Sequence, residues 1–184
     1  MKLILITILA ITHSFFTFAL DGPPFEVIGG AKLIASLNIE NEETLAKGTL
    51  STGEEIIISN GDILFSVKLN VSSMGSFPLM SKLKSEDYGG NPLLISVYEY
   101  DFDKDGEMEL MVVHSAGDYF VELEIFRYEK EEPQLVGSLF GQFLISLEDN
   151  VISFPYGSQG LTDEYIYRND AFYNLVYHDP KNRD

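Results

Sequence analysis

Apolar and polar side chains alternate with a period of two through most of the chain beyond residue 30, as in Phe65-Ser66-Val67-Lys68-Leu69-Asn70-Val71 and Val121-Glu122-Leu123-Glu124-Ile125. A period of two puts one set of side chains on each face of an extended strand, so such runs predict half-buried β-strands. Strands are expected at 32–39, 55–59, 63–71, 93–101, 109–114, 121–128, 134–139, 143–147, 151–154, 164–167 and 172–177. No stretch of comparable length keeps apolar residues at i, i+3, i+4 and i+7, so helices are not expected.

Turn chemistry falls between these runs: Thr52-Gly53, Asn60-Gly61, Gly89-Gly90, Gly117-Asp118, residues 148–150 and Asn169-Asp170. Asn60-Gly61 predicts a two-residue hairpin turn, because both residues tolerate the positive φ that such a turn requires. Residues 72–90 carry Gly75, Pro78, Gly89 and Gly90 around a short apolar piece and are expected to form a long loop, with room for one helical turn near 79–85. Residues 124–128 with 134–136, and 164–168 with 174–176, form a weak internal repeat of hairpins that alternate aromatic and polar positions. The expected class is therefore all-β and mainly antiparallel, either a propeller-like partial array of hairpins or a sandwich or small barrel.

Residues 1–20 differ in character. Lys2, the apolar run 3–11 and Phe18-Ala19-Leu20 before the polar turn at Asp21 read as a secretory signal peptide, interrupted by His13 and Ser14 and too short for a spanning helix. Removing it leaves residues 21–184 as a single β-rich domain, large enough to bury roughly 70% of its unfolded surface. The chain has no cysteine, so an exported fold must rely on its core and on bound metal rather than on disulfides. A secreted or periplasmic location follows, with no stable membrane insertion after removal of the leader. Asn70-Val71-Ser72 has the form of a glycosylation sequon, a triplet common by chance. The formal net charge is −17, and one unit more negative without Lys2. Such a surface repels nucleic acid and anionic membrane and suits a cation or a basic protein.

The densest chemistry lies at 101–110, Asp-Phe-Asp-Lys-Asp-Gly-Glu-Met-Glu-Leu. Asp101, Asp103 and Asp105 occupy alternate positions, and Gly106 supplies a sharp turn. Glu107 then offers a backbone carbonyl and Glu109 a further carboxylate. Calcium takes six to eight hard oxygen ligands, and a loop curling round the ion directs every second side chain inward. The twelfth position, a bidentate Glu in an EF-hand, is Val112, and strands rather than helices flank the loop. The segment 96–114 resembles the calcium loops of integrin-type FG-GAP and VCBS repeats, Asp-x-Asp-x-Asp-Gly-x-x-Asp-Leu between two strands of a propeller blade. The resemblance implies Ca2+ held by Asp101, Asp103, Asp105 and Glu109 with the Glu107 carbonyl. Glu109 stands where that family usually has Asp, and no second acidic loop occurs in the chain.

Other chemistry is sparse. His114 is followed by Ser115 and, four residues on, by Asp118, but residues so close along a strand do not converge as a triad; a hydrogen-bonded strand-end histidine is expected, and His178 is expected to be exposed. Asp163 with Glu164, and Glu148 with Asp149, are adjacent carboxylates that a strand points to opposite faces. Phe154, Pro155, Tyr156, Gly157, Gly160 and Tyr165 combine aromatics with flexible backbone, a composition found in recognition surfaces and, more often in β proteins, in cores. The sequence thus points to an exported, non-enzymatic, calcium-stabilised β-domain that binds a protein or glycan. An inhibitor or immunity-type protein neutralising a basic enzyme or toxin is the alternative, and a hydrolase of unlocated active groups a third.

Overall fold

Strict alternation gives long strands, each turning its apolar set toward a neighbouring sheet. The computed structural model describes residues 25–39, 41–84, 93–116, 120–128, 132–156 and 161–175; the expected leader, His178, Asp118, Gly157, Gly160 and the Gly89-Gly90 and Gly117-Asp118 turns lie outside them. The described residues form fourteen strands. These are β1 (Glu26–Ile28), β2 (Lys32–Asn38), β3 (Leu45–Thr49), β4 (Glu55–Asn60), β5 (Leu64–Val71), β6 (Gly75–Leu83) and β7 (Leu94–Tyr100), followed by β8 (Glu109–Ala116), β9 (Phe120–Arg127), β10 (Gln134–Gln142), β11 (Leu144–Glu148), β12 (Val151–Tyr156), β13 (Leu161–Arg168) and β14 (Ala171–Asn174).

Three antiparallel meanders of four strands follow one another: β3 to β6, β7 to β10 and β11 to β14. The first two strands extend the later meanders. β2 pairs antiparallel with β7, and β1 pairs parallel with β11. The middle sheet, β10-β9-β8-β7-β2, lies between the other two. Its odd-numbered β7 side chains Ile95 and Val97 join Leu110, Val112 and Phe126 in a core with Ile56, Ile58, Phe65, Val67 and Leu69 of the first meander. Met111, Val113, Val121, Leu123 and Ile125 point the other way, into a second core with Ile145, Leu147, Ile152, Phe154 and Tyr167 of the third meander. A strand covered on both faces needs apolar residues at every position, which is why Leu110-Met111-Val112-Val113 does not alternate.

The fold is thus all-β and mainly antiparallel, a layered stack of open sheets of sandwich type. No sheet closes into a barrel among the described residues, so the small-barrel alternative is not adopted. The two repeated hairpins appear as β9–β10 and β13–β14.

Residues 75–83, expected in a loop with an optional helical turn, are instead the edge strand β6. Its register shifts opposite Val67 and Lys68, leaving Leu79 bulged beside Met80, and both side chains are buried. Two consecutive buried residues break the period of two and hide the strand. Pro78 is tolerated because an edge strand leaves one side without ladder bonds. β1 and β3 were not expected either: β1 has three residues, too few to show a period, and β3, Leu-Ala-Lys-Gly-Thr, carries few large apolar residues. At Gly48 of β3 an added Cβ would lie 2.1 Å from the Ile34 carbonyl oxygen, so glycine permits this strand to cross β2. The β4–β5 turn is longer than two residues: the Gly61 amide donates to the Leu64 carbonyl, and neither Asn60 nor Gly61 has positive φ. Asn70 of the sequon lies in β5 and donates to Glu55.

Candidate metal centre

β7 ends at Tyr100 opposite Glu109, the first residue of β8, so the acidic segment is the hairpin loop between two central strands. Its own carboxylates fold it. Asp101 Oδ2 accepts the Gly106 amide at 3.0 Å, Asp103 Oδ1 accepts the Asp105 amide at 3.3 Å, and Asp105 Oδ1 accepts the Glu107 amide at 2.7 Å. Lys104 and Gly106 take positive φ of 62° and 94°, which curls the chain back on itself. As a result Asp101, Asp103 and Asp105 each bring an oxygen within 4.8 Å of the others. Asp101 Oδ1 is shielded from solvent and meets no hydrogen-bond donor.

The loop is anchored from below. Phe102 is fully buried against Tyr100, Tyr167 and Phe172, with ring centroids 4.8, 5.7 and 5.2 Å away. Its amide donates to Glu109 Oε2 at 3.0 Å. Glu109 is buried on the β8 face that meets the third meander; burial pushes its carboxyl up to about 7, with Asp103 adding to the rise and the Phe102 amide and Arg127 opposing it. Glu109 is not one of the three convergent carboxylates, and the Glu107 side chain is exposed.

Two turns of the third meander flank the loop. Lys104 Nζ lies 2.5 Å from Asp149 Oδ1 in the β11–β12 turn, and the Tyr100 hydroxyl donates to the Asp149 carbonyl. Arg127 of β9 reaches Asp170 in the β13–β14 turn at 2.5 Å, the Tyr167 hydroxyl at 3.3 Å and Asp103 at 3.7 Å. Asp149, Asn169 and Asp170 all have positive φ. Phe102, Arg127 and Tyr167 were not singled out from sequence, and residues 148–150 and Asn169-Asp170 were read there as turns without any link to this loop. Phe102, an aromatic between two aspartates, was the available sign that the loop packs inward.

Apart from Asp149, the remaining candidates lie away from this centre. His114 is buried in β8, with Nε2 3.1 Å from Glu122 Oε2 and Nδ1 3.3 Å from the Ser115 carbonyl. Burial lowers its pKa, as does nearby Lys82, while Glu122 opposes them. The Ser115 hydroxyl accepts the Leu93 and Leu94 amides, so this histidine and serine serve the backbone and an ion pair. Glu148 ends β11 and Asp149 is in the turn after it, while Asp163 and Glu164 are half-buried neighbours within β13. Phe154 is core, and Tyr165 stands edge-on to it at 6.0 Å. No helix among the described residues is long and apolar enough to cross a membrane.

Compared with known proteins, the chain matches no family model, no curated protein and no solved structure.

Proposed function

We propose that this chain is an exported binding domain whose β7–β8 hairpin is held by a calcium ion, and that it acts by recognising a partner rather than by catalysis. The observation that carries the metal reading is the convergence of Asp101, Asp103 and Asp105, together with the shielded, unbonded oxygen of Asp101. Unit charges at such separations repel by about 1 kcal/mol per pair in bulk water and by several times that near a protein surface. A divalent cation removes that repulsion, and an all-oxygen donor set suits a hard ion such as calcium. Asp101, Asp103 and Asp105 would hold it with the Glu107 carbonyl, while Glu109, bonded to the Phe102 amide, braces the loop from behind. The ion's role is to fasten the loop that abuts both turns of the third meander. The leader-like segment 1–20 supports export, and without cysteine the fold is stabilised with no disulfides.

Isothermal calorimetry and thermal melting test this directly. Wild-type protein should bind one calcium with saturation and lose melting temperature in EDTA, and an Asp103→Ala, Asp105→Ala variant should do neither. Absence of saturable heat, with the same melting temperature in calcium and EDTA, defeats the metal reading.

A second reading, an inhibitor or immunity-type protein, draws on the net charge of −17. It is distinguished by capture of a basic enzyme that salt abolishes.

A further inference from the structure

Among the described residues six strands lie at sheet edges: β1 and β14, β2 and β10, β3 and β6. Short length, lysine, proline and bulges are the devices that keep an open row of N–H and C=O groups from pairing with another chain. Five of the six edges carry them. β1 and β14 have three and four residues, β2 carries Lys32 and is crossed by β3, β3 carries Lys47, and β6 holds Pro78, Lys82 and the bulge at Leu79. β10 differs. Among the described residues its ladder partner is β9 alone, and its nine residues, Gln134–Gln142, include no charge and no proline in a chain that is 22% charged. Its own bulge, at Val136, falls near one end and leaves residues 137–142 in regular register. One face of β10 is covered, since Gly137 and Gly141 lie against Phe172 and Phe154 of the third meander. The other is open. The first meander ends over β9, where Lys82 of β6 meets Glu122. Beyond it Leu135 is 56% and Phe140 52% exposed, and Phe140 stacks on the half-exposed Phe120 of β9 with ring centroids 5.1 Å apart.

An unblunted edge beside exposed apolar side chains complements another extended strand, which satisfies the ladder and covers the apolar groups together. We infer that β10 pairs antiparallel with β10 of a second copy of this chain, joining two five-stranded middle sheets into one continuous sheet about a two-fold axis within residues 137–142. Such pairing is isologous, the strand serving as its own partner. A two-fold normal to the sheet keeps its faces unmixed, so Phe120 and Phe140 of both copies lie together on one face. Charge decides where two copies can meet. Chains of net charge −17 repel over most of their surface, so a contact must bring no carboxylates close. β10 meets that condition. Glu122 and Glu124 on β9 would stand three inter-strand spacings, about 14 Å, from the partner's β9, farther than the Debye length of about 8 Å at physiological salt. Glu132, just before β10, would lie at the opposite end of the pair from its counterpart. The contact is of the small, transient class, below about 1,200 Å². It goes beyond the reading of the chain as a binding domain and is separate from the metal loop, which joins β7 to β8.

Sedimentation velocity of the whole protein, from micromolar to millimolar concentration and at low and high salt, tests the pairing. A reversible monomer–dimer equilibrium should appear and strengthen with salt, because salt screens the repulsion between copies and leaves the uncharged contact intact. Ser138→Lys, which gives β10 the lysine that other edges carry, and Phe140→Ser should each weaken the dimer by about tenfold or more. Both side chains are exposed, so the variants fold. Hydrogen exchange should show the amides of residues 137–142 gaining protection as concentration rises, while those of β6 do not change. A monomer at every concentration, a dimer of unchanged affinity in both variants, or protection gained at β6 instead of β10 would overturn the assignment. So would a monomer that takes up the peptide Gln-Leu-Val-Gly-Ser-Leu-Phe-Gly-Gln at β10, which would give the edge to a strand of another protein. Calcium titration of the same samples separates the two claims: a dimer without calcium heat defeats the metal reading alone, and calcium binding without a dimer defeats the pairing alone.

Discussion

Gly141 faces the ring of Phe154 so closely that an added Cβ would lie 2.1 Å from its Cδ1 atom. Gly141→Ala therefore forces either β10 or a core aromatic to move, an overpacking expected to cost about 1–3 kcal/mol and to lower the urea midpoint without changing the slope. His114 offers a test of opposite character. Its folded pKa lies below the ordinary 6.5 because of burial and of Lys82. The folded state then binds fewer protons than the unfolded one, so the stabilisation is present above 6.5 and is lost as pH falls below it toward the folded value. Denaturant midpoints followed from about pH 7 to about pH 5 should fall more steeply for wild type than for His114→Gln, since only the former titrates at this site. Parallel slopes would mean that His114 does not carry the effect.

Among the elements, burial on one or both faces decides how much a side chain matters. Leu123 of β9 is fully buried between the middle sheet and the third meander, whereas Leu83 at the end of edge strand β6 is 69% exposed. Leu123→Ala should cost about 2–5 kcal/mol through lost transfer energy and the cavity left behind. Leu83→Ala should fall within about 0.5 kcal/mol of wild type. Chemical denaturation of the two variants checks the contrast. Edge strands also explain which elements are legible. β5 and β9 alternate cleanly and are read correctly, while β6 conceals its period behind a bulge and β3 has too few apolar residues to announce itself.

For the whole molecule, a middle sheet covered on both sides makes β7, β8 and β9 the strands least accessible to local opening. Native-state hydrogen exchange should be slowest in their amides, approaching the global stability, and faster in β3, β6 and β14 at the margins of the outer sheets. Protection spread evenly over all three sheets would contradict that hierarchy. The aspartate loop closes the β7–β8 hairpin, so metal should add protection first in the strand pair on either side of it.

By itself the sequence determined the strands of the central meander and the spacing of the aspartates, because both depend on local rules: a period of two, and glycine where the backbone must turn. It also excluded disulfides by composition alone. Only the tertiary structure decided that Leu110 to Val113 are covered on both faces, that β1 joins β11 in parallel, and that residues 75–83 form an edge strand. It alone placed Phe102 in an aromatic bed, and set Asp149 and Asp170 beside a loop some forty to seventy residues earlier in the chain. The open edge of β10 belongs to the same class, since only the order of strands in the middle sheet leaves it with one neighbour among the described residues. Pairings between distant strands depend on which sheet faces stack, and no local pattern of residues encodes that choice.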